Sequence, residues 1–121
     1  HLPLMSEIEV FVAVHDSSDL SRERHASIWI SKDNSFDGFH VTNKFGSDLT
    51  FQCLRRGRDP RTTNMRLVTM ERFATISEEG YSKLQRILSM VPIKNSNNNW
   101  NCQDWVKDTL SNGKGRYYQQ D

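Results

Sequence analysis

The sequence predicts an α+β domain, in which a mainly antiparallel sheet of about five strands packs against helices that follow it in the chain. Short runs rich in β-branched and aromatic residues recur up to residue 76. Two segments with helical periodicity come after them. The 121 residues suffice for one domain with one core. We expect residues 1–5 to be an expression remnant or a disordered start, 6–112 to be this single domain, and 113–121 to be a tail.

The composition narrows the functional classes. A net charge of +1 argues against a dedicated nucleic-acid binder, which normally carries a strong basic excess. No apolar run approaches the ~18 residues of a membrane span. The two cysteines, Cys53 and Cys102, do not make the disulfide framework of a small secreted domain, although a single bridge between them stays open. We therefore expect a cytoplasmic protein with reduced thiols and no cofactor.

The strands are predicted in order along the chain. Residues 8–15 form the first and residues 24–31 the second. Turn-forming residues at 32–35 and 37–38 surround Phe36, and residues 39–42 then form a short strand that pairs with the second as a hairpin. Residues 49–54 and 66–76 complete the sheet. In the second strand, Ala26, Ile28 and Ile30 share one face, whereas His25, Ser27, Trp29 and Ser31 share the other.

An arginine-rich segment, residues 55–61, lies between the last two strands. Such a cluster can attract phosphates or anionic headgroups. Gly57 and Pro60 instead favour a solvated turn, and we prefer this interpretation. A basic membrane-surface or nucleic-acid binder is the least favoured function.

The first helix is predicted from its capping residues and its periodicity. Ser77 is a cap residue, and Glu78 and Glu79 place acids in the first turn. Pro92 ends the segment. Its apolar stripe consists of Tyr81, Leu84, Ile87, Leu88 and Val91.

The second helix carries the residue on which the functional prediction depends. Asn99 or Asn101 can cap it, which places Cys102 in its first turn, where the helix dipole favours a thiolate. A free cysteine on an apolar helix face is more often a packing residue. Catalysis therefore requires a base elsewhere. The apolar face contains Cys102, Trp105, Val106, Thr109 and Leu110, and residues 112–115 end the helix.

Histidines supply that base. His1 belongs to the expected remnant, and His15 ends a strand, where a solvent-facing or capping role is expected. His25 and His40 lie on the paired second and third strands and can project from one sheet face. Cys102, His25 and His40 can thus act as nucleophile, base and orienting residue. A zinc site is less favoured, because these residues supply only three ligands without a known spacing.

Three short motifs resemble a known group of enzymes. Residues 25–30 (His-Ala-Ser-Ile-Trp-Ile), 39–41 (Phe-His-Val) and 101–106 (Asn-Cys-Gln-Asp-Trp-Val) are similar to the circularly permuted papain-like group. That group includes lecithin retinol acyltransferase and its phospholipase/acyltransferase relatives and the PPPDE-type deubiquitinating peptidases, and it is related to the NlpC-type cell-wall peptidases. The permutation places the histidine before the cysteine in the chain.

The resemblance implies a papain-like fold and a cysteine hydrolase or acyltransferase that acts on a small-molecule, peptide or acyl substrate. Cys102 matches the nucleophile, His25 the base and His40 the third member. By the same analogy, the Cys102 N–H forms part of an oxyanion hole. Gln103, Asn101 and Trp100 become candidates for oxyanion or substrate binding.

The chain departs from the acyltransferase pattern in two places. Ala26 replaces an aromatic residue, and residues 103–105 (Gln-Asp-Trp) replace Glu-His-Phe. These departures weaken a lipid substrate more than the fold, and they resemble short single-domain microbial relatives, including fungal ones. The alternative function is a non-catalytic binding module that retains the fold. Under it, Trp29, Trp100 and Trp105 are core aromatics or groove walls, with the core favoured for Trp105.

Overall fold

The computed structural model describes residues 7–16, 25–42, 48–55, 57–63, 66–96, 100–113 and 119–120. It confirms the α+β class, and every strand pair described is antiparallel. The strands form one sheet in the order β4-β3-β2-β1-β5-β6. The elements are β1 (Ile8–His15), β2 (His25–Lys32), β3 (Ser35–Thr42), β4 (Thr50–Arg55), a 3₁₀ helix (Pro60–Thr62), β5 (Leu67–Ile76), α1 (Glu78–Met90), α2 (Cys102–Gly113) and β6 (Gln119–Gln120).

The last strand lies in the segment expected to be a tail. Gln119 pairs with Thr75 and Gln120 with Ala74, so part of 113–121 extends the sheet beside β5. An uncovered strand presents unpaired N–H and C=O groups, and a short extra strand satisfies some of them. Two residues of the segment expected to be a tail therefore pair with β5.

The turn of the β2–β3 hairpin lies earlier than predicted. Asp33 and Asn34 both adopt positive φ, 52° and 64°, as a two-residue hairpin turn requires. The strand β3 consequently begins at Ser35 and includes Gly38, which the sequence had assigned to a turn. A Cβ at Gly38 would lie 2.7 Å from Cζ2 of Trp29. Gly38 is therefore a strand residue that leaves room for the indole.

The sheet has two covered faces, which we call the helical face and the far face. On the helical face, Ala26, Ile28 and Ile30 belong to the main core cluster, together with the buried residues of α1 and α2. On the far face, Phe11, Ala13, Trp29 and Phe36 form a second buried cluster. The guanidinium of Arg61 lies 5.4 Å from the ring centroid of Phe11 and 5.9 Å from that of Phe36.

Both helices follow their predicted patterns. Ser77 caps α1 by accepting a hydrogen bond from the Gly80 N–H at 3.1 Å, as predicted. The five residues of the predicted apolar face of α2 are all buried: Cys102, Trp105, Val106, Thr109 and Leu110. Among the residues placed in the fold, no helix is long and apolar enough to cross a membrane. Cys53 is exposed, Cys102 is buried, and the two residues are not joined in a disulfide.

Candidate active site

The beginning of α2 is held by a reciprocal pair of side chains. The Asn101 Oδ1 accepts hydrogen bonds from the Gln103 N–H at 2.9 Å and from the Asp104 N–H at 3.4 Å. The Asp104 Oδ2 in turn accepts one from the Asn101 N–H at 2.9 Å. This arrangement resembles a capping box, which satisfies amides that the first turn leaves unpaired. Asn101 is therefore the cap, and Cys102 is the first residue of the helix, as predicted.

The thiol of Cys102 is anchored to the beginning of β2. Its Sγ accepts a hydrogen bond from the Ala26 N–H at 3.4 Å, across 76 positions of sequence. The pairing of β2 with β3 ends at Ile28, which lies opposite Phe39, so Ala26 lies beyond this pairing. Cys102 is 8% exposed and belongs to the helical-face cluster. The sulfur therefore meets β2 near the point where β3 leaves it.

This contact brings the sulfur close to the backbone of His25. Because a peptide bond joins His25 to Ala26, the Cα of His25 lies within about 6 Å of Sγ. Side-chain alternation nevertheless puts the imidazole of His25 on the far face, with Ser27 and Trp29. The thiol of Cys102 and the imidazole of His25 therefore lie on opposite faces of the sheet, and a direct contact requires the ring to move around the end of β2.

The ring of His25 stacks on the ring of His15. Their centroids are 5.5 Å apart and their planes differ by 21°. The two residues are directly opposite in the β1–β2 register. Sequence analysis did not assign His15 to the site. The register of β1 and β2, which places His15 opposite His25, is the information that identifies this residue.

His40 also lies on the far face, because its neighbours Phe39 and Val41 pack into the helical-face cluster. The two candidate histidines thus share a face, in agreement with the expectation. The His40 Nε2 lies 2.9 Å from Oε1 of Gln52, its partner across β3 and β4. The structure therefore brings Cys102 to the backbone beside His25, whereas the side chain of His40 pairs with β4.

The candidate oxyanion and substrate residues serve the helix and the core. The Asn101 side chain caps α2, and the Gln103 N–H donates to that cap. Trp100 is buried, and its Nε1 donates to Oδ2 of Asp108 at 3.2 Å. The amides of Asn101, Gln103 and Asp104 are engaged in the cap of α2, so they are not available to bind an oxyanion.

Local effects of opposite sign act on the charge of the sulfur. The N-terminal end of α2 favours a thiolate at Cys102, whereas burial of the sulfur among apolar residues favours the neutral thiol. The carboxylate of Asp104 lies in the same turn and opposes a negative sulfur. The hydrogen bond from Ala26 adds a donor that favours the thiolate.

Trp105 is fully buried, as predicted. Among the residues described, no group of side chains could hold a metal ion.

None of the curated proteins and none of the solved structures compared with the chain matches it. One family model, described as a family of unknown function (DUF6540), matches residues 10–112. This range runs from β1 into α2 and contains His15, His25, His40 and Cys102. Since the match covers most of the 121 residues, the chain belongs to this family.

Proposed function

We propose that this protein is a cysteine-dependent hydrolase or acyltransferase of the permuted papain-like type, with Cys102 as its nucleophile. The observation that carries the proposal is the hydrogen bond from the Ala26 N–H to Sγ of Cys102. It joins a helix N-terminus to the beginning of a strand, and His25 is the residue immediately before that donor. A helix N-terminus favours a nucleophilic thiolate, and a basic imidazole that can be brought to the sulfur activates it further.

The proposed reaction has two halves. His25 removes the thiol proton, Cys102 Sγ forms a bond to the carbonyl carbon of an amide, ester or thioester, and the carbonyl oxygen becomes an oxyanion bound by the Cys102 N–H. The bond to the leaving group breaks, and His25 returns the proton to that group. Water or a second acceptor then attacks the acyl-enzyme and releases the thiol.

The reaction makes one geometric demand on β2. The His25 imidazole has to reach the sulfur from the far face, which requires a backbone change at the beginning of β2 as well as a rotation about χ1, because alternation fixes the direction of its Cβ. The stack on His15 is a contact that such a rotation breaks. His40 has the role of a polar residue on the same face that orients His25.

A second candidate is a non-catalytic binding module that retains the same fold. Two observations favour it: Cys102 is only 8% exposed, and alternation puts His25 and His40 on the sheet face opposite the core that contains the sulfur. In such a module Cys102 is a packing residue of α2. The two functions differ in whether the folded protein can form a covalent acyl-enzyme.

Acylation by an activated ester, followed by intact-mass and peptide mass spectrometry, tests the proposal. The exposed Cys53 is first changed to Ser, so that only one thiol remains. We expect one acyl group on Cys102 of the folded protein and none after Cys102→Ser. His25→Ala should slow acylation by about a hundredfold, the lower range for loss of a general base. His15→Ala removes the ring that stacks on His25 but leaves the proposed base in place, so it should not slow acylation.

Each outcome decides between the two functions. Circular dichroism establishes that every variant is folded. Labelling that occurs only in denaturant, or that is unchanged by His25→Ala, supports the binding module. Selective labelling that depends on His25 supports the enzyme.

A further inference from the structure

We propose that a groove between α1 and the end of α2 is a second binding site, for an organic anion with an aliphatic body. The groove has a volume of about 410 Å³, within the usual range for small-molecule sites. Its polar lining comes from Lys83, Arg86 and Asn112. Its apolar lining includes Ile87, Met90 and Pro92.

This groove is separate from the candidate active site. Asn112 lies ten residues after Cys102 in α2, which corresponds to about 15 Å along the helix axis. The other lining residues belong to the second half of α1 and the segment just after it. The groove therefore has its own chemistry and does not depend on the proposed function.

Positive charge is concentrated on one side of the groove. Lys83 pairs with Glu79 at 2.8 Å, and the pKa of that carboxyl is lowered by the Lys83 hydrogen bond, so this cation is partly compensated. The Asn112 Nδ2 donates to the Asp108 carbonyl. Arg86 forms no ion pair with any residue that the structure describes. Its planar guanidinium is the group best suited to bind a carboxylate with two hydrogen bonds.

An exposed apolar wall stands beside this charge. Met90 is 74% exposed and lies four residues after Arg86, on the same helix face. A flexible thioether adapts to an apolar ligand better than a branched side chain does. Ile87 and Pro92 continue the apolar lining. A guanidinium next to exposed hydrocarbon fits a ligand whose charged head and aliphatic body are joined.

A small molecule fits this groove better than an acidic peptide. Among the residues that the structure describes, its lining comes from the second half of α1, the two residues that follow α1 and Asn112 of α2. One guanidinium that forms no ion pair with the residues described in the fold matches one anionic head. A peptide partner of several acids needs a longer basic surface.

Backbone amide NMR with octanoate as the probe tests the proposal. Acetate carries the same charge without the aliphatic body, and 1-octanol carries that body without the charge. We expect saturable shifts at residues 83–91 and 111–113 with octanoate, and binding at least tenfold weaker with either control, because each loses one of the two contacts. Cys102→Ser should leave octanoate binding unchanged, so failure of the proposed enzyme does not affect this result.

Matched variants assign the contacts. Arg86→Gln should weaken octanoate binding about tenfold, and Met90→Gln about fivefold. Lys107→Gln on the exposed side of α2 is the charge control, and Val68→Thr is the control for the other large exposed apolar side chain. The proposal is overturned if octanoate does not bind, if its shifts map elsewhere, if Arg86→Gln and Lys107→Gln act equally, or if an acidic peptide binds where octanoate does not.

Discussion

The backbone N–H of Ala26 donates a hydrogen bond to Sγ of Cys102 over 3.4 Å, and this bond joins the beginnings of β2 and α2. The sulfur therefore has a structural role whatever its chemistry. The sulfur accepts a hydrogen bond from the strand β2, and it also packs in the apolar core. Stability measurements can separate this role from reactivity.

Replacement of Cys102 by Ala should destabilise the fold by about 1–3 kcal/mol, because the Ala26 N–H loses this acceptor and a small cavity forms. Urea unfolding at pH 7 measures the change. Cys53→Ala is the control, since that thiol is exposed and its loss should cost no more than about 0.5 kcal/mol. Equal effects of the two substitutions would contradict the anchoring role of the sulfur.

Gly38→Ala should destabilise the sheet by about 1–3 kcal/mol, since the new methyl group overlaps the indole of Trp29. Two of the three atoms that it meets, Cζ2 and Cη2, belong to the second ring of the indole and are absent from phenylalanine. A double-mutant cycle with Trp29→Phe therefore isolates the clash. We expect Gly38→Ala to cost clearly less in the Trp29→Phe background, and an additive result would show that the indole is not the obstacle.

Asn101→Ala should lower the free energy of unfolding by about 0.5–2 kcal/mol, because two first-turn amides lose the cap acceptor. Asn101→Asp keeps the acceptor and should retain most of this stability. Asn112→Ala at the other end of α2 is the positional control, since its Nδ2 bonds a single carbonyl. Thermal unfolding followed by circular dichroism compares the three, and the account fails here if Asn101→Asp is as damaging as Asn101→Ala.

The pair of Asp59 and Arg61 should make stability depend on acid pH. The side-chain hydrogen bond from Arg61, which is bidentate, lowers the pKa of the Asp59 carboxyl. A folded-state pKa below the unfolded value contributes stability above the unfolded pKa of about 3.9, and this contribution is lost as the pH falls through the folded-state pKa.

Arg61→Gln should therefore cost about 1 kcal/mol at pH 7, as expected for an exposed ion pair that also covers two aromatic rings. The ion-pair part of this cost should begin to shrink below about pH 4, where Asp59 takes up a proton in the unfolded state, and should be lost once the pH has fallen below the folded-state pKa. Urea unfolding at several pH values measures it. Arg58→Gln is the control in the same loop, and a pH-independent effect of Arg61→Gln would exclude the linkage.

Local signals predicted the helices and the position of Cys102. Ser77 and Asn101 act as caps, and the apolar periodicity that follows each of them is visible in the sequence. The hairpin turn was misplaced, because Gly38 is normally a turn residue and the reason for it in a strand is a contact with Trp29. Such a contact cannot be read from neighbouring residues.

The relation between the thiol and the imidazoles depends on which sheet face the helices cover. Alternation along β2 correctly placed His25 and Trp29 on one face and Ala26 on the other. Residues 26–31 of β2 are all buried, so no polar face marks the side away from the helices. The stack of His15 on His25 likewise depends on the β1–β2 register, which the sequence between these strands does not specify.

The pH dependence of alkylation at Cys102 tests the central claim most directly. In a Cys53→Ser background, the rate of reaction with iodoacetamide is measured between pH 5 and 10, with and without His25→Ala. The enzyme account predicts a midpoint clearly below the ~8.5 of an ordinary thiol, and a rise towards that value when His25 is removed. A midpoint near ~8.5 or above that is the same in both proteins would contradict an activated nucleophile.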